Sequence, residues 1–237
     1  MQSLCRLALR CAATVFLLPL VLHAQTSAAQ TYRAGLKSIA IPAPAGDLTE
    51  IGPDYRVLFE PLTPDTNRLI AAFALSDDAA QLRSTGASGG LKEYALVEVL
   101  RRAEFVDISS DLFRQVEDNM ATQFGTTLNS SLQDQQDELN RKLKATHGDE
   151  AFAVSLDKPL QLGVLFSKTD ACAFGVIMPV SAKGTTIKMA AGVIVMRVQQ
   201  RLVYGYLYTL YKDDDSVQWV RKTAEAWAGS ILAANKQ

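Results

Sequence analysis

Cys172 and His147 have the strongest claim to nucleophilic or acid–base chemistry, because they remain alone of their kinds once an N-terminal segment carrying Cys5, Cys11 and His23 is set aside. A Cys–His pair activates a thiol only when the imidazole lies within hydrogen-bond reach and a third group orients it. Cys172 sits in Ala171-Cys172-Ala173-Phe174, the pattern of a buried strand in which cysteine packs as a small hydrophobe. His147 follows the end of a helical pattern, where a cation is favoured in any case. A serine triad would have to use His147, and no G-x-S-x-G turn presents a serine to it. Two N/S ligands fall short of the three or four that a zinc site needs. The sequence therefore assigns no catalytic residue, no cofactor and no metal.

Other constellations are suggestive in type but wrong in spacing. Asp213-Asp214-Asp215 offers carboxylates to a calcium ion, yet the twelfth position of the loop, where a Glu is required, is Ala224. A helix start capped by these acids explains them better. Gly86-Ala87-Ser88-Gly89-Gly90-Leu91-Lys92 resembles a phosphate loop, but Leu91 precedes the lysine and Glu93 follows it. Tyr204, Tyr206 and Tyr208 alternate along one face of a strand with Leu202 and Leu210. Such a row can stack on sugars or bases. It can equally be core, with Trp227 beside it if the last helix covers that face. Trp219 lies off the apolar stripe of the last helix, so it packs on a neighbouring loop or marks a partner contact. These four aromatics are the candidate ligand or partner contacts. The polar stretch 133–144 reads as a solvent-facing helix rather than a coiled coil.

The N-terminus supplies the address. Arg6 and Arg10 precede the apolar run 11–22, which leads into the small and polar residues 23–30. That is the layout of a secretory signal peptide, over residues 1–29, with cleavage after Ala24 or Ala29. The run is too short to span a bilayer, which takes about 20 residues. No later stretch reads as a membrane span. Cleavage would leave Cys172 without a disulfide partner, so the fold must rest on a core, which a chain of this length can supply. It would also take Lys+Arg from 24 to 22 against 25 acidic residues. A slightly acidic balance argues against non-specific nucleic-acid binding. The Asn129-Ser130-Ser131 sequon falls inside a helical pattern and reads as accidental.

The remaining residues, 30–237, read as a single α+β domain, with a mainly antiparallel sheet, a long mid-chain helical segment and a C-terminal helix packed on the sheet. Strands are expected at 37–41, 55–60, 68–75, 94–100, 152–156, 160–167, 172–180, 186–198 and 202–211. In the second of these Tyr55, Val57 and Phe59 share a face, and Pro61 ends it. Residues 84–90 read as a flexible loop. A helical pattern runs from Ser110, taken as N-cap, to about 145, with Gly125-Thr126-Thr127 as an interruption and Gly148 as a stop. Short connections between the later strands imply antiparallel hairpins. The Gln199-Gln200 turn lacks the usual Gly or Asn. The last helix carries Val217, Val220, Ala224, Trp227, Ala228, Ile231 and Leu232 at spacings of three and four.

The stretch from Leu202 through Tyr204, Tyr206 and Tyr208 resembles a segment of uncharacterised exported bacterial proteins, together with Asp215, Trp219-Val220-Arg221-Lys222, Trp227 and Ile231-Leu232-Ala233-Ala234-Asn235. Ile39-Ala40-Ile41-Pro42-Ala43-Pro44 and Thr66-Asn67-Arg68-Leu69 are similar to that group too. The layout, an antiparallel sheet closed by a C-terminal helix, is also similar to PsbP-like sandwich proteins. The resemblance implies a non-catalytic accessory role, as a periplasmic or secreted protein that binds or assists another envelope component. Two alternatives stand beside it: an envelope hydrolase using carboxylates that spacing does not reveal, and a structural or self-assembling protein.

Overall fold

The computed structural model describes residues 29–44, 46–85, 91–148 and 153–236. The signal segment, apart from Ala29, and the glycines of the phosphate-loop-like motif lie outside the described residues, as does the side chain of His147.

The fold is α+β. A hairpin of β1 (Gln30–Ala34) and β2 (Lys37–Ile41) stands apart from an eight-stranded sheet. That sheet comprises β3 (Leu48–Glu50), β4 (Asn67–Leu75), β5 (Glu93–Leu100), β6 (Val154–Leu156), β7 (Leu160–Lys168), β8 (Ala171–Ala182), β9 (Thr185–Val198) and β10 (Arg201–Leu210). Its spatial order is β3-β4-β5-β10-β9-β8, with β6 and β7 paired to successive parts of β8 along its remaining edge. Every pairing is antiparallel. The long β8–β9–β10 meander follows from two tight turns between continuous β-branched and small apolar runs.

The C-terminal helix, α5 (Asp214–Ala234), covers one face. Asp213 caps it: its carboxylate accepts from the Ser216 amide while Ser216 Oγ accepts from the Asp213 amide. Its stripe Val220, Ala224, Trp227, Ala228 and Ile231 is buried against Phe73, Val97, Ile194, Met196, Val203 and Leu207. Two glycines let the helix approach closely. A Cβ at Gly192 would stand 2.9 Å from Val220, and one at Gly205 would stand 3.3 Å from the Trp227 ring. Trp227 meets Phe73 edge-on at 5.8 Å, and its indole N–H donates to the Pro42 carbonyl at 2.8 Å.

The opposite face is covered in two separate places. On one side, α1 (Pro53–Arg56), the 3-10 turn Val57–Leu62 and α2 (Ser76–Thr85) bring Tyr55, Leu58, Phe59, Ala79 and Leu82 onto Leu69, Ala72, Ala74 and Leu96. On the other, the start of α3 (Ser110–Ser130) seats Phe113, with Ile108 before it, on Cys172, Phe174, Val195 and Leu202. After Ser131 the chain continues as α4 (Leu132–His147).

Several expectations are corrected, and one helix is added to them. Residues 55–60 are helical, not a strand: Gly52 takes a left-handed φ of 77°, Pro53 starts the helix, and Val57 is 59% exposed. Tyr55, Leu58 and Phe59 face inward at helical i, i+3, i+4 spacing, a pattern that so short a window cannot separate from alternation. Residues 76–85 form α2, which buries only Ala79 and Leu82 and so has too thin a stripe to show in the sequence. The break in the mid-chain helix falls at Ser131 rather than at Gly125-Thr126-Thr127. Gly125 is helical, and its lack of a side chain leaves room for β7, since a Cβ there would lie 2.0 Å from the Gln161 side chain. The α3 cap is Ser109 rather than Ser110, its hydroxyl accepting from the Leu112 amide at 3.1 Å. The polar residues of α4 are also not simply solvent-facing: Asn140 bonds both backbone groups of Val154, and Gln136 accepts from the Leu156 amide, so side-chain amides cover the free edge of β6.

Candidate cavity between the sheet and the mid-chain helices

Alternation along β10 divides its residues between the two faces. Val203, Leu207 and Thr209 are buried on one, while Tyr204, Tyr206 and Tyr208 are half-buried on the other. The helix carrying Trp227 lies on the first face, so the tyrosine row is not packed against it, and the condition that would have joined them is not met. The register sets the row's neighbours. Tyr204 stands between Glu98 and Val195, Tyr206 between Leu96 and Val193, and Tyr208 between Tyr94 and Ala191. Tyr94 and Tyr208 stack at 4.5 Å with their planes 16° apart.

The row falls in the gap between the two clusters that cover this face. Tyr204 edges the Phe113 cluster, and Tyr206 and Tyr208 edge the Phe59 cluster. What remains between them is a cavity of about 440 Å³. Tyr204, Tyr206, Tyr208, Ala191, Val193 and Val176 form its floor, and α3 roofs it with Val116, Met120, Phe124 and Leu128. Phe124 is steadied by stacking on Phe174 at 5.2 Å. Asn119, Gln123, Gln135 and Glu98 bring polar groups to an otherwise apolar wall. A second space of about 190 Å³, lined by Tyr94, Leu139, Met189 and Glu138, adjoins it and shares Leu62, Pro64, Gln135, Met178 and Tyr208. The larger volume lies in the range of small-molecule sites, which are mostly apolar with a few placed polar groups.

Glu98 is the residue that sequence reading missed. It is 1% exposed, and its carboxylate accepts from Thr63 Oγ1 at 3.0 Å and from Asn67 Nδ2 at 2.7 Å. Burial pushes its carboxyl up to about 7, against the opposing pull of those two hydrogen bonds and of the Lys142 charge. A single acid in the run Ala95-Leu96-Val97-Glu98-Val99-Leu100 was the available signal. Nearby, Lys142 pairs with Glu138 at 2.7 Å and with Asp65 at 2.9 Å, and donates to the Thr63 carbonyl. The Lys142 hydrogen bond, joined by Arg141, holds the Asp65 carboxyl below its usual range. This network ties the 63–67 connection to α4 at one end of the cavity. Burial raises the phenol pKa values of Tyr204, Tyr206 and Tyr208, so all three present hydroxyl groups rather than phenolates.

The other sequence candidates are scattered. Cys172 is buried under Phe113, and its thiol is pushed up to about 12 by loss of hydration. Asp214 and Asp215 are exposed in the first turn of α5 beside the capping Asp213. Trp219 is half-buried at the margin of the core, in a shallow cleft with Leu75, Lys92 and Leu210, away from the tyrosines. Among the described residues no group of three or more His, Cys, Asp or Glu could hold a metal, and no helix is long and apolar enough to cross a membrane.

No protein-family model and no curated protein matches the chain. Among solved structures it is similar to the Ran-binding protein Mog1p of Saccharomyces cerevisiae, at 11% identity over 87% of this chain and 90% of that one, with a TM-score of 0.29. A point mutant of protein Mog1 gives 12% identity, 86% and 90% coverage, and the same TM-score. At that level neither the fold nor the role of those proteins carries over to this chain.

Proposed function

We propose that this chain is an exported, non-catalytic binding protein of the cell envelope. Its cavity holds a small ligand with an apolar, flat or elongated body and a hydrogen-bonding end directed to Glu98. The cavity floored by Tyr204, Tyr206 and Tyr208 is the observation that supports the reading. Aromatic floors and a methionine- and leucine-bearing roof suit apolar rings or chains. The hydroxyl and amide groups at its wall suit orientation rather than turnover. Both Glu98 oxygens already accept hydrogen bonds from Thr63 and Asn67, which fits an anchoring carboxyl better than a free general base. The N-terminal signal pattern and the resemblance to exported bacterial proteins support the envelope address.

The test uses protein purified in the form its host exports, with the neutral fluorophore N-phenyl-1-naphthylamine as probe. Saturable fluorescence enhancement is expected, weakened at least about tenfold in Val193→Phe, whose ring would occupy the cavity. The melting temperature of that variant should be kept or raised, since the new ring fills empty space. No saturable signal, or equal binding by the variant, sinks the reading. An N-terminus found at Met1 in the purified protein sinks the export half of it.

A further inference from the structure

A different part of the molecule carries a second surface, independent of the cavity. The turn joining β1 and β2 presents Leu36 at 73% exposure, and the segment following β5 presents Phe105 at 65% and Val106 at 45%. The two segments are locked together. Glu104 Oε1 accepts from the Gly35 amide at 2.9 Å and pairs with Arg68, whose Nη2 also donates to the Arg33 carbonyl at 2.8 Å. A Cβ on Gly35 would lie 3.3 Å from the Phe105 ring. Three large apolar side chains therefore stand outward on adjacent turns, held there by a polar clasp beneath them. Such a cluster is costly in water unless something covers it.

The charges left unpaired on its two segments are of one sign. Arg33, Lys37, Arg101 and Arg102 lie on the same two segments, and none belongs to an ion pair among the described residues. The carboxylates of the neighbourhood are already matched, Glu104 by Arg68 and Asp107 by Arg201 at 2.5 Å. The Arg101 guanidinium is fixed by the Asp65 and Asn67 carbonyls, which leave its charge unneutralised.

We propose that this end of the molecule docks on an anionic phospholipid surface. Leu36, Phe105 and Val106 enter the headgroup boundary, Arg33 and Lys37 meet lipid phosphates, and Arg101 and Arg102 add positive charge on the second segment. Apolar tips on segments that also carry cations outside any ion pair combine the two forces that hold peripheral proteins at membranes, burial of apolar groups and attraction to negative lipid. Exposed apolar tips beside cations with no carboxylate left to pair favour an anionic lipid surface over a protein partner.

The exported form of the protein is mixed with sedimentable vesicles of phosphatidylglycerol and phosphatidylethanolamine, or of phosphatidylcholine alone. Binding is expected to the anionic vesicles and to fall as salt is raised. Arg33→Gln, which removes an exposed cation remote from the cavity, should weaken it about fivefold. The double variant Leu36→Ser with Phe105→Ser should weaken it at least about tenfold at an unchanged melting temperature, since both residues are exposed. Equal partition into the two vesicle types, or wild-type binding by the double variant, overturns the proposal. So does absence of vesicle binding together with a dimer that the double variant abolishes, which would make the patch a protein contact.

Discussion

Glu98 is the residue whose chemistry departs furthest from its sequence appearance. Its carboxyl titrates near 7 in the folded chain and near 4.5 when exposed, because burial disfavours the charged form. The folded state then binds the proton more tightly. The stabilisation this provides is complete below about pH 4.5 and is lost as pH rises through 7, by up to about 3 kcal/mol. Wild-type protein should therefore melt at a lower temperature at pH 8 than at pH 5. Glu98→Gln, which keeps a hydrogen-bonding side chain without the charge, should flatten that dependence. An unchanged slope in calorimetry would show that other groups set it. Cys172 supplies a second check at this scale. Buried beneath Phe113 with its thiol pushed up to about 12, it should react with Ellman's reagent only at the rate at which α3 opens or the chain unfolds. Rapid labelling of native protein would contradict that burial.

Elements are held by their ends as much as by their faces. The β9–β10 turn places Gln199 at φ 47° and Gln200 at φ 65°, the left-handed geometry that two-residue hairpins need and that Gly or Asn adopts most easily. Gln200→Gly should raise stability by about 0.5–1 kcal/mol, seen as a higher denaturation midpoint with an unchanged slope. Asp213→Ala removes one arm of the α5 capping box and should lower stability by about 1 kcal/mol. The strands from 160 onward were legible because their apolar runs are long and their connections short. Residues 55–60 were not, since six residues with Tyr55, Val57 and Phe59 satisfy a strand period as readily as the helical one that Tyr55, Leu58 and Phe59 follow.

Over the whole molecule the two faces of the sheet are unequal. The α5 face is one continuous core, whereas the opposite face has two clusters with a cavity between them. Beyond Phe113, α3 rests on partly buried Val116, Met120 and Phe124, and α4 is held by side-chain hydrogen bonds to β6 and by polar contacts of Glu138, Arg141 and Lys142 with residues 63–65. Amides of the distal half of α3 and of α4 should therefore exchange with deuterium faster than those of β9, β10 and α5. Ligand in the cavity should slow that exchange under the helices first. Uniform protection across both layers would remove the basis for a helical roof that yields to a ligand.

Composition and periodicity determined the α+β class, the antiparallel meander, the capped final helix and the alternation that keeps Tyr204, Tyr206 and Tyr208 on one face. Local pattern suffices for these because each depends on neighbours within a few residues along the chain. Which face the final helix covers, that Glu98 is buried among Thr63 and Asn67, and that a cavity separates two clusters were decided only in three dimensions. Those features depend on strand order and on which residues distant in sequence come to share a surface, and no local spacing encodes them.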